Sequence, residues 1–323
     1  MKKIAILDDY QDCVRNLDCF KTLTQYQVDI FHDNVKDTGL LADRLSDAEA
    51  IVLTRERTRI TAPLLDRLPR LRLISQTGRV SGHIDIAACT DRGIAVMDGE
   101  GHAAPTAELT WCLMLASRRH LVSEANRLKQ GLWQGHLGQQ LRGQRLGIWS
   151  YGRIGRQVAA YGKAFGMHTW VWGGEHSTSQ ARADGFEVAP SKEAFFEQSD
   201  ILSLHLRLSD RTRGVVGPAD LARMKSNALI VNTSRAELIQ PGALEAALRA
   251  GKPGYAAVDV FEQEPLAGTD HPLLGLPNAL CTPHIGFVEK DNYESYYGQA
   301  FDNIVRFFKG DVRGVVNPEV LGR

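Results

Sequence analysis

The sequence predicts an α/β fold of two doubly wound, parallel-sheet domains, and three observations carry that reading. Short apolar runs of strand length alternate with segments of helical spacing along most of the chain. At 323 residues it is long enough for about two domains, each with its own core. The stretch L-G-I-W-S-Y-G-R-I-G-R-Q-V-A, Leu146 to Ala159, reads as a buried strand, a sharp glycine-bearing turn and the opening of a helix.

Taken in order, Ile4 to Leu7 reads as a buried strand that ends at Asp8-Asp9. Val28 to Phe31 and Ala50 to Leu53 repeat it, with helical spacing at Leu40, Leu41, Ala42 and Leu45 between them. Thr61 precedes a short helix with Pro63 near its start, a favourable place for proline. Leu71 to Ser75 and Gly93 to Met97 are further strands, and Asp98 to Gly101 reads as a hinge. A long helix is predicted from Thr106 to about Gln130, then a Gly- and Gln-rich linker from Gly131 to Gln140. Beyond the glycine turn come strands at His168 to Trp172, Ile201 to Leu204, Ala228 to Asn232, Ala256 to Val258 and Ala279 to Cys281. Leu244 to Ala250 reads as a helix capped by Gly251, and a last helix spans Asn292 to Lys309.

Composition excludes several classes of function. Lys plus Arg and Asp plus Glu number 38 each, so the formal charge is zero and nothing suggests a nucleic-acid partner. The five cysteines, Cys13, Cys19, Cys89, Cys112 and Cys281, are scattered without metal-ligand spacing, so no metal site is expected. The amino terminus reads as a strand rather than a signal peptide, and the apolar run near Leu109 to Ala116 is too short for a membrane span. A cytoplasmic enzyme or binding protein is expected.

The glycine turn suits a dinucleotide pyrophosphate. Gly152 lets backbone approach the phosphates, Gly155 lets the helix pack closely on the strand, and the amides at the helix start face the anion. The pattern is S-x-G-x-x-G, with Ser150 where the first glycine usually stands; its hydroxyl could reach a phosphate oxygen. Ser150, Tyr151, Gly152, Arg153, Ile154 and Gly155 are therefore cofactor candidates. Three polar residues then follow successive strands: Arg235, Glu264 and His284. Any one alone in a loop would usually be just solvated. Together at strand ends of a dinucleotide domain they suit 2-oxo or 2-hydroxy acid chemistry. Arginine grips a carboxylate with a planar fork, histidine moves the hydroxyl proton, and glutamate orients the imidazole and favours its protonated form.

Four segments in this order, L-R-G-Q-R-L-G-I-W-S-Y-G-R-I-G, V-N-T-S-R-A-E-L-I, V-D-V-F-E-Q-E-P-L and T-P-H-I-G, resemble the D-isomer-specific 2-hydroxyacid dehydrogenases. The resemblance covers essentially the whole chain. It implies a Rossmann dinucleotide-binding domain over residues 100–287 and a flavodoxin-like substrate domain, discontinuous, over 1–99 and 288–323. It makes Arg235 the substrate-binding arginine, Glu264 the orienting carboxylate and His284 the acid/base. Asp259 would contact the nicotinamide carboxamide, Thr233 and Ser234 would line the cofactor, and the backbone of Arg79, Val80 and Ser81 would bind the substrate carboxylate. It further implies an active site in the cleft between domains and a homodimer joined through the nucleotide-binding domains.

Departures from the family pattern bear on preference. Gly173-Gly174 stands where NAD-preferring members carry an aspartate; Glu175, about twenty residues past Gly155, could hold the ribose hydroxyls instead or be a solvated loop residue. NAD is the expected cofactor, with NADP as the alternative. Arg79 puts a cation near the substrate mouth, where it could favour a second anionic group or pair with a local acid, and Arg207 replaces a common proline. The competing function is a dinucleotide-sensing binding protein of corepressor type on the same fold. The absence of a long disordered tail or basic patch disfavours it.

Overall fold

The computed structural model describes residues 1–266 and 268–322. They form two compact units, one of Met1–His102 with the segment from Val288 onwards, the other of Ala103–Phe287. In the first unit, strands β1 (Lys3–Ile6), β2 (Gln27–Ile30), β3 (Ala50–Leu53), β4 (Leu73–Gln76) and β5 (Ala95–Met97) form one parallel sheet in the order β2-β1-β3-β4-β5. The runs are apolar because they lie under helices: every residue of β3 and β4 is buried. Helices α1 (Thr38–Leu45), α2 (Ala62–Leu65) and α3 (Ile86–Asp91) connect the strands. Asp37 caps α1 by accepting from Leu40 N, and Asp85 caps α3 by accepting from Ala88 N.

The second unit opens with α4 (Ala104–Arg118) and α5 (Leu121–Lys129). Strand β6 (Arg145–Trp149), α6 (Arg153–Ala164), β7 (His168–Trp172), α7 (Glu175–Ala183), β8 (Glu187–Val188), α8 (Lys192–Gln198) and β9 (Ile201–Leu204) follow. Then come α9 (Pro218–Arg223), β10 (Leu229–Asn232), α10 (Ala243–Arg249), β11 (Tyr255–Val258) and β12 (Ala279–Cys281). The sheet order is β12-β11-β10-β9-β6-β7-β8, all pairs parallel, so strand order reverses at β6. Parallel strands put all their carboxyl ends on one edge, and the reversal opens a crevice there. Gly251 adopts φ +76°, the left-handed conformation of a helix carboxyl cap. Finally α11 (Lys290–Phe308) returns to the first unit, where Tyr297, Phe301 and Ile304 are buried and Ser75 Oγ donates to Ala300 O at 2.9 Å.

The single long helix expected over Thr106–Gln130 is broken in two. His120 takes φ +52°, and Arg118 turns inward to donate to the carbonyls of Asn227 (2.7 Å) and Asp200 (2.5 Å). These tertiary acceptors outweigh the local helical spacing. Beyond the break, α5 buries none of its residues.

Candidate functional site

The dinucleotide turn is built as its spacing requires. Ser150 N donates to Trp172 O at 2.8 Å, which extends the β6–β7 ladder by one residue. Ser150 then takes φ +78°, a left-handed turn that glycine adopts without strain and serine does not. A Cβ on Gly155 would lie 2.3 Å from Ser150 O and 3.2 Å from Ile148 Cγ2, so only glycine permits this helix-to-turn approach. A Cβ on Gly152 would meet nothing within 4 Å: the space before the helix is open. The first helical bond runs from Arg156 N to Gly152 O, so the amides of Arg153, Ile154 and Gly155 all precede it. This open cradle at a helix start fits a pyrophosphate.

Tyr151 is committed elsewhere. Its ring is buried in the core, its hydroxyl donates to Asp184 at 2.9 Å and its amide to Ser177 Oγ at 3.2 Å. Glu175 is not in a loop: it is the exposed first residue of α7, where Ser179 Oγ donates to its Oε1 at 2.8 Å. Arg207 is exposed, and its carbonyl accepts from Thr212 Oγ1 at 2.7 Å.

The polar residues after β10, β11 and β12 stand on neighbouring strand ends. Asn232 ends β10 and shapes the next turn, its Oδ1 accepting from Ser234 N (3.0 Å) and its Nδ2 donating to Arg235 O (2.8 Å). Nothing in the residue pattern marked Asn232 beyond an amide at the end of an apolar run. Thr233 Oγ1 pairs with Thr110 Oγ1 at 2.7 Å, Ser234 Oγ donates to Leu204 O at 2.8 Å, and Arg235 Nη1 donates to Ser234 O at 2.7 Å.

Glu264 and His284 meet directly: Glu264 Oε2 lies 2.5 Å from His284 Nδ1, while Oε1 accepts from Phe261 N at 2.9 Å. His284 has φ +51°, and its amide donates to Thr282 O at 2.9 Å. A non-glycine residue held in this region is a costly placement that the surrounding loop must enforce. Asp259 enforces it. Its buried carboxylate accepts from Thr282 Oγ1 (2.6 Å), Ile285 N (2.9 Å) and Gly286 N (2.8 Å), on both sides of the histidine. Burial pushes the Asp259 carboxyl above its ordinary pKa, and the hydroxyl and amide donors act against that shift.

In the first unit the loop after β4 differs from expectation. Asp98 Oδ2 already accepts from Val80 N at 3.1 Å, so that amide is taken by an internal carboxylate. Arg79 pairs with the local acids Asp98 (3.2 Å) and Glu100. Ser81 Oγ lies 3.2 Å from His83 Nδ1. The reason is tertiary: β5 lies beside β4, and Asp98 follows it directly. Asp9, Asp12 and His32 also converge here, but Arg15 Nε sits 2.6 Å from Asp12 and supplies a cation already. No helix among the described residues is long and apolar enough to cross a membrane.

A helix opening on a glycine-tight turn, and a histidine held by a carboxylate on the same sheet edge, define a dinucleotide-dependent dehydrogenase. The sequence model of the D-isomer specific 2-hydroxyacid dehydrogenase, NAD binding domain, matches residues 111–286. The chain is 38% identical over 299 residues to a glyoxylate reductase of Aeropyrum pernix, covering 88% of this chain and 87% of that one. It is 34% identical to a D-3-phosphoglycerate dehydrogenase of Methanocaldococcus jannaschii, covering 87% of this chain but 54% of that longer protein. The crystal structure of an oxidoreductase from Ralstonia solanacearum superposes with a TM-score of 0.97 at 52% identity, over 99% of this chain and 98% of that one. The chain belongs to the D-isomer-specific 2-hydroxyacid dehydrogenases, NAD(P)-dependent oxidoreductases, and NAD is its cofactor.

Proposed function

We propose that the chain interconverts a small 2-oxo acid and its D-2-hydroxy acid, with His284 as acid/base, Glu264 as its partner and Arg235 as the carboxylate anchor. The observation that carries this reading is the 2.5 Å His284–Glu264 contact on the sheet edge that also bears the glycine turn. Nicotinamide, when bound, supplies or accepts the hydride. Arg235 holds the substrate carboxylate and so orients the carbonyl. With Nδ1 against Glu264, His284 Nε2 delivers the proton to the carbonyl oxygen in reduction and removes it in oxidation. Asp259 fixes the loop that carries the imidazole. Its carboxylate has about four acceptor positions, so three internal bonds leave room for a carboxamide donor.

The amides of Gly152–Gly155 would hold the pyrophosphate, Thr233 and Ser234 would line the nicotinamide end, and Glu175 would hold the adenosine ribose hydroxyls. An exposed carboxylate there repels a 2′-phosphate, which supports NAD over NADP. Of the first-unit loop, Ser81 remains assigned to the substrate carboxylate. A homodimer through the nucleotide-binding unit is supported by the apolar side chains that this chain leaves exposed around α5, namely Leu121, Val122, Leu128, Leu132, Trp133 and Leu137. A monomer in sedimentation at micromolar concentration would refute that assembly.

The direct test follows NADH and NADPH consumption with glyoxylate, hydroxypyruvate, phenylpyruvate and 2-oxoglutarate, and the reverse reaction with 3-phosphoglycerate. Strong turnover on one acid with NADH is expected. Tight cofactor binding with negligible turnover throughout would contradict the catalytic reading. The pairing has its own test. A carboxylate on Nδ1 fixes the orientation in which the ring meets the carbonyl oxygen. Glu264→Gln should therefore lower turnover while leaving NADH affinity unchanged, and parental turnover would count against the assigned partnership.

A further inference from the structure

The second unit carries a pocket of about 280 Å³ that no step of the proposed reaction uses. It lies at the carboxyl ends of β10 and β11, beside the start of α10. Leu244 of α10 and Val258 of β11 belong to one core cluster, whereas Val158 and Ala159 of the nucleotide helix α6 belong to the other. The pocket is therefore on the face of the sheet opposite α6. Its floor is apolar: Ala236, Ile239, Leu244, Val258, Val260 and Leu273 are all buried. Gln240, Pro241 and Glu262 are exposed and form its rim. A dry cavity of roughly 150 Å³ holds a benzene ring, so this one has room for about ten non-hydrogen atoms.

The polar groups around this floor favour a cation. His271 Nδ1 accepts from Leu273 N at 3.3 Å, so the ring proton is on Nε2, which faces Glu262 Oε2 at 3.3 Å. Glu245 is already neutralised by Arg249, whose Nε lies 2.9 Å from its Oε1. Glu262 has no such partner: none of the described lining residues is a lysine or arginine. A 2-oxo acid or a dinucleotide phosphate therefore finds no counter-charge in these walls. An ammonium group at the rim meets the Glu262 carboxylate, and an apolar body behind it covers the buried floor.

The floor of the pocket is also the back of the turn that carries Arg235. Asn232 lines it, and the same side chain holds Ser234 N at 3.0 Å and Arg235 O at 2.8 Å. We propose that the pocket binds a small primary amine with a compact apolar body, an effector whose contact with Asn232 steadies the Arg235 turn. Binding itself is independent of the roles given to Arg235, Glu264 and His284. The effector action rests on the reading of Arg235 as the carboxylate anchor.

Phenethylamine is the probe, with 2-phenylethanol as its uncharged counterpart and phenylalanine as its zwitterionic one. Calorimetric titration should give phenethylamine a Kd of about 1 mM or tighter, with the other two at least about tenfold weaker. Saturating NADH should leave that Kd unchanged. Glu262→Gln should weaken phenethylamine about tenfold, the loss expected for a hydrogen bond to a charged group, with NADH affinity unchanged. In the unaltered protein the ring resonances of His271 should move when phenethylamine is added. Absence of binding, equal binding of the alcohol, parent-like amine affinity in Glu262→Gln, competition by NADH or unmoved His271 resonances would each overturn the site. For the effector action, the NADH complex should bind oxamate, an unreactive 2-oxo acid analogue, about fivefold more tightly once phenethylamine is present. Unchanged or weaker oxamate affinity overturns that action. If oxamate binds under neither condition, the acid-site reading and the effector action fall together, and the amine titrations still decide the pocket.

Discussion

His284→Ala should lower turnover in 2-oxo acid reduction by about two to four orders of magnitude, the range a positioned general acid supplies. NADH affinity should change little. The expectation rests on how completely the loop is organised around this ring. Glu264 holds Nδ1 at 2.5 Å and is itself held by Phe261 N at 2.9 Å. Asp259 ties down Thr282, Ile285 and Gly286 around it. An imidazole placed this way pays no ordering cost at the moment of reaction, and water entering the vacated space lacks both its position and its acidity. Alanine also tolerates φ +51° poorly, so a loss of activity could come from the backbone. His284→Asn is the control, because asparagine adopts left-handed conformations readily but cannot act as an acid near neutral pH. Both variants should be equally impaired. Near-normal turnover in either would remove His284 from the proposed role.

Most of both sheets was legible because parallel strands buried on two faces are written as short, nearly continuous apolar runs. The strands at Ala50–Leu53, His168–Trp172, Ile201–Leu204 and Ala279–Cys281 have the boundaries that their composition suggested. Strand β8 is two residues, Glu187 and Val188, too short to carry any period. The break at His120 was hidden because the helical spacing runs on through it, while the acceptors that draw Arg118 inward lie about a hundred residues away in sequence. The same limit applies to the candidate site. Strand ends placed Arg235, Glu264 and His284 on one edge, but the capture of Val80 N by Asp98 depends on two strands becoming neighbours. The tertiary role of Asp259 was likewise invisible, since its three partners come from beyond the next strand. Residue types in order convey which chemistry is present; which donors are already satisfied is a property of the packed chain.

That distinction gives weight to Arg235. Val80 N and Arg79 are engaged by Asp98, so the proposed anchoring of the substrate carboxylate rests more heavily on Arg235 than the sequence pattern alone implied. Its backbone is extended, at φ −148° and ψ 138°, just before the short 3-10 helix Ala236–Leu238. Its carbonyl is tied to Asn232 Nδ2, and its Nη1 donates to Ser234 O at 2.7 Å. One nitrogen of the fork is thus braced against the main chain, which sets the plane in which the guanidinium can meet a carboxylate. Arg235→Gln should raise KM for the 2-oxo acid by roughly a hundredfold or more, in line with the 2–5 kcal/mol lost when one partner of a buried charge pair is removed. Affinity for NADH should be unchanged, because Thr233 and Ser234 keep their own bonds to Thr110 and Leu204. Arg235→Lys should recover only part of the loss, since an ammonium restores the charge without the planar two-point grip. A lysine variant with parental KM would show that charge alone suffices, and a glutamine variant with parental KM would show that the carboxylate is anchored elsewhere. Loss of NADH binding in the glutamine variant would instead mean that Arg235 supports the loop rather than the substrate.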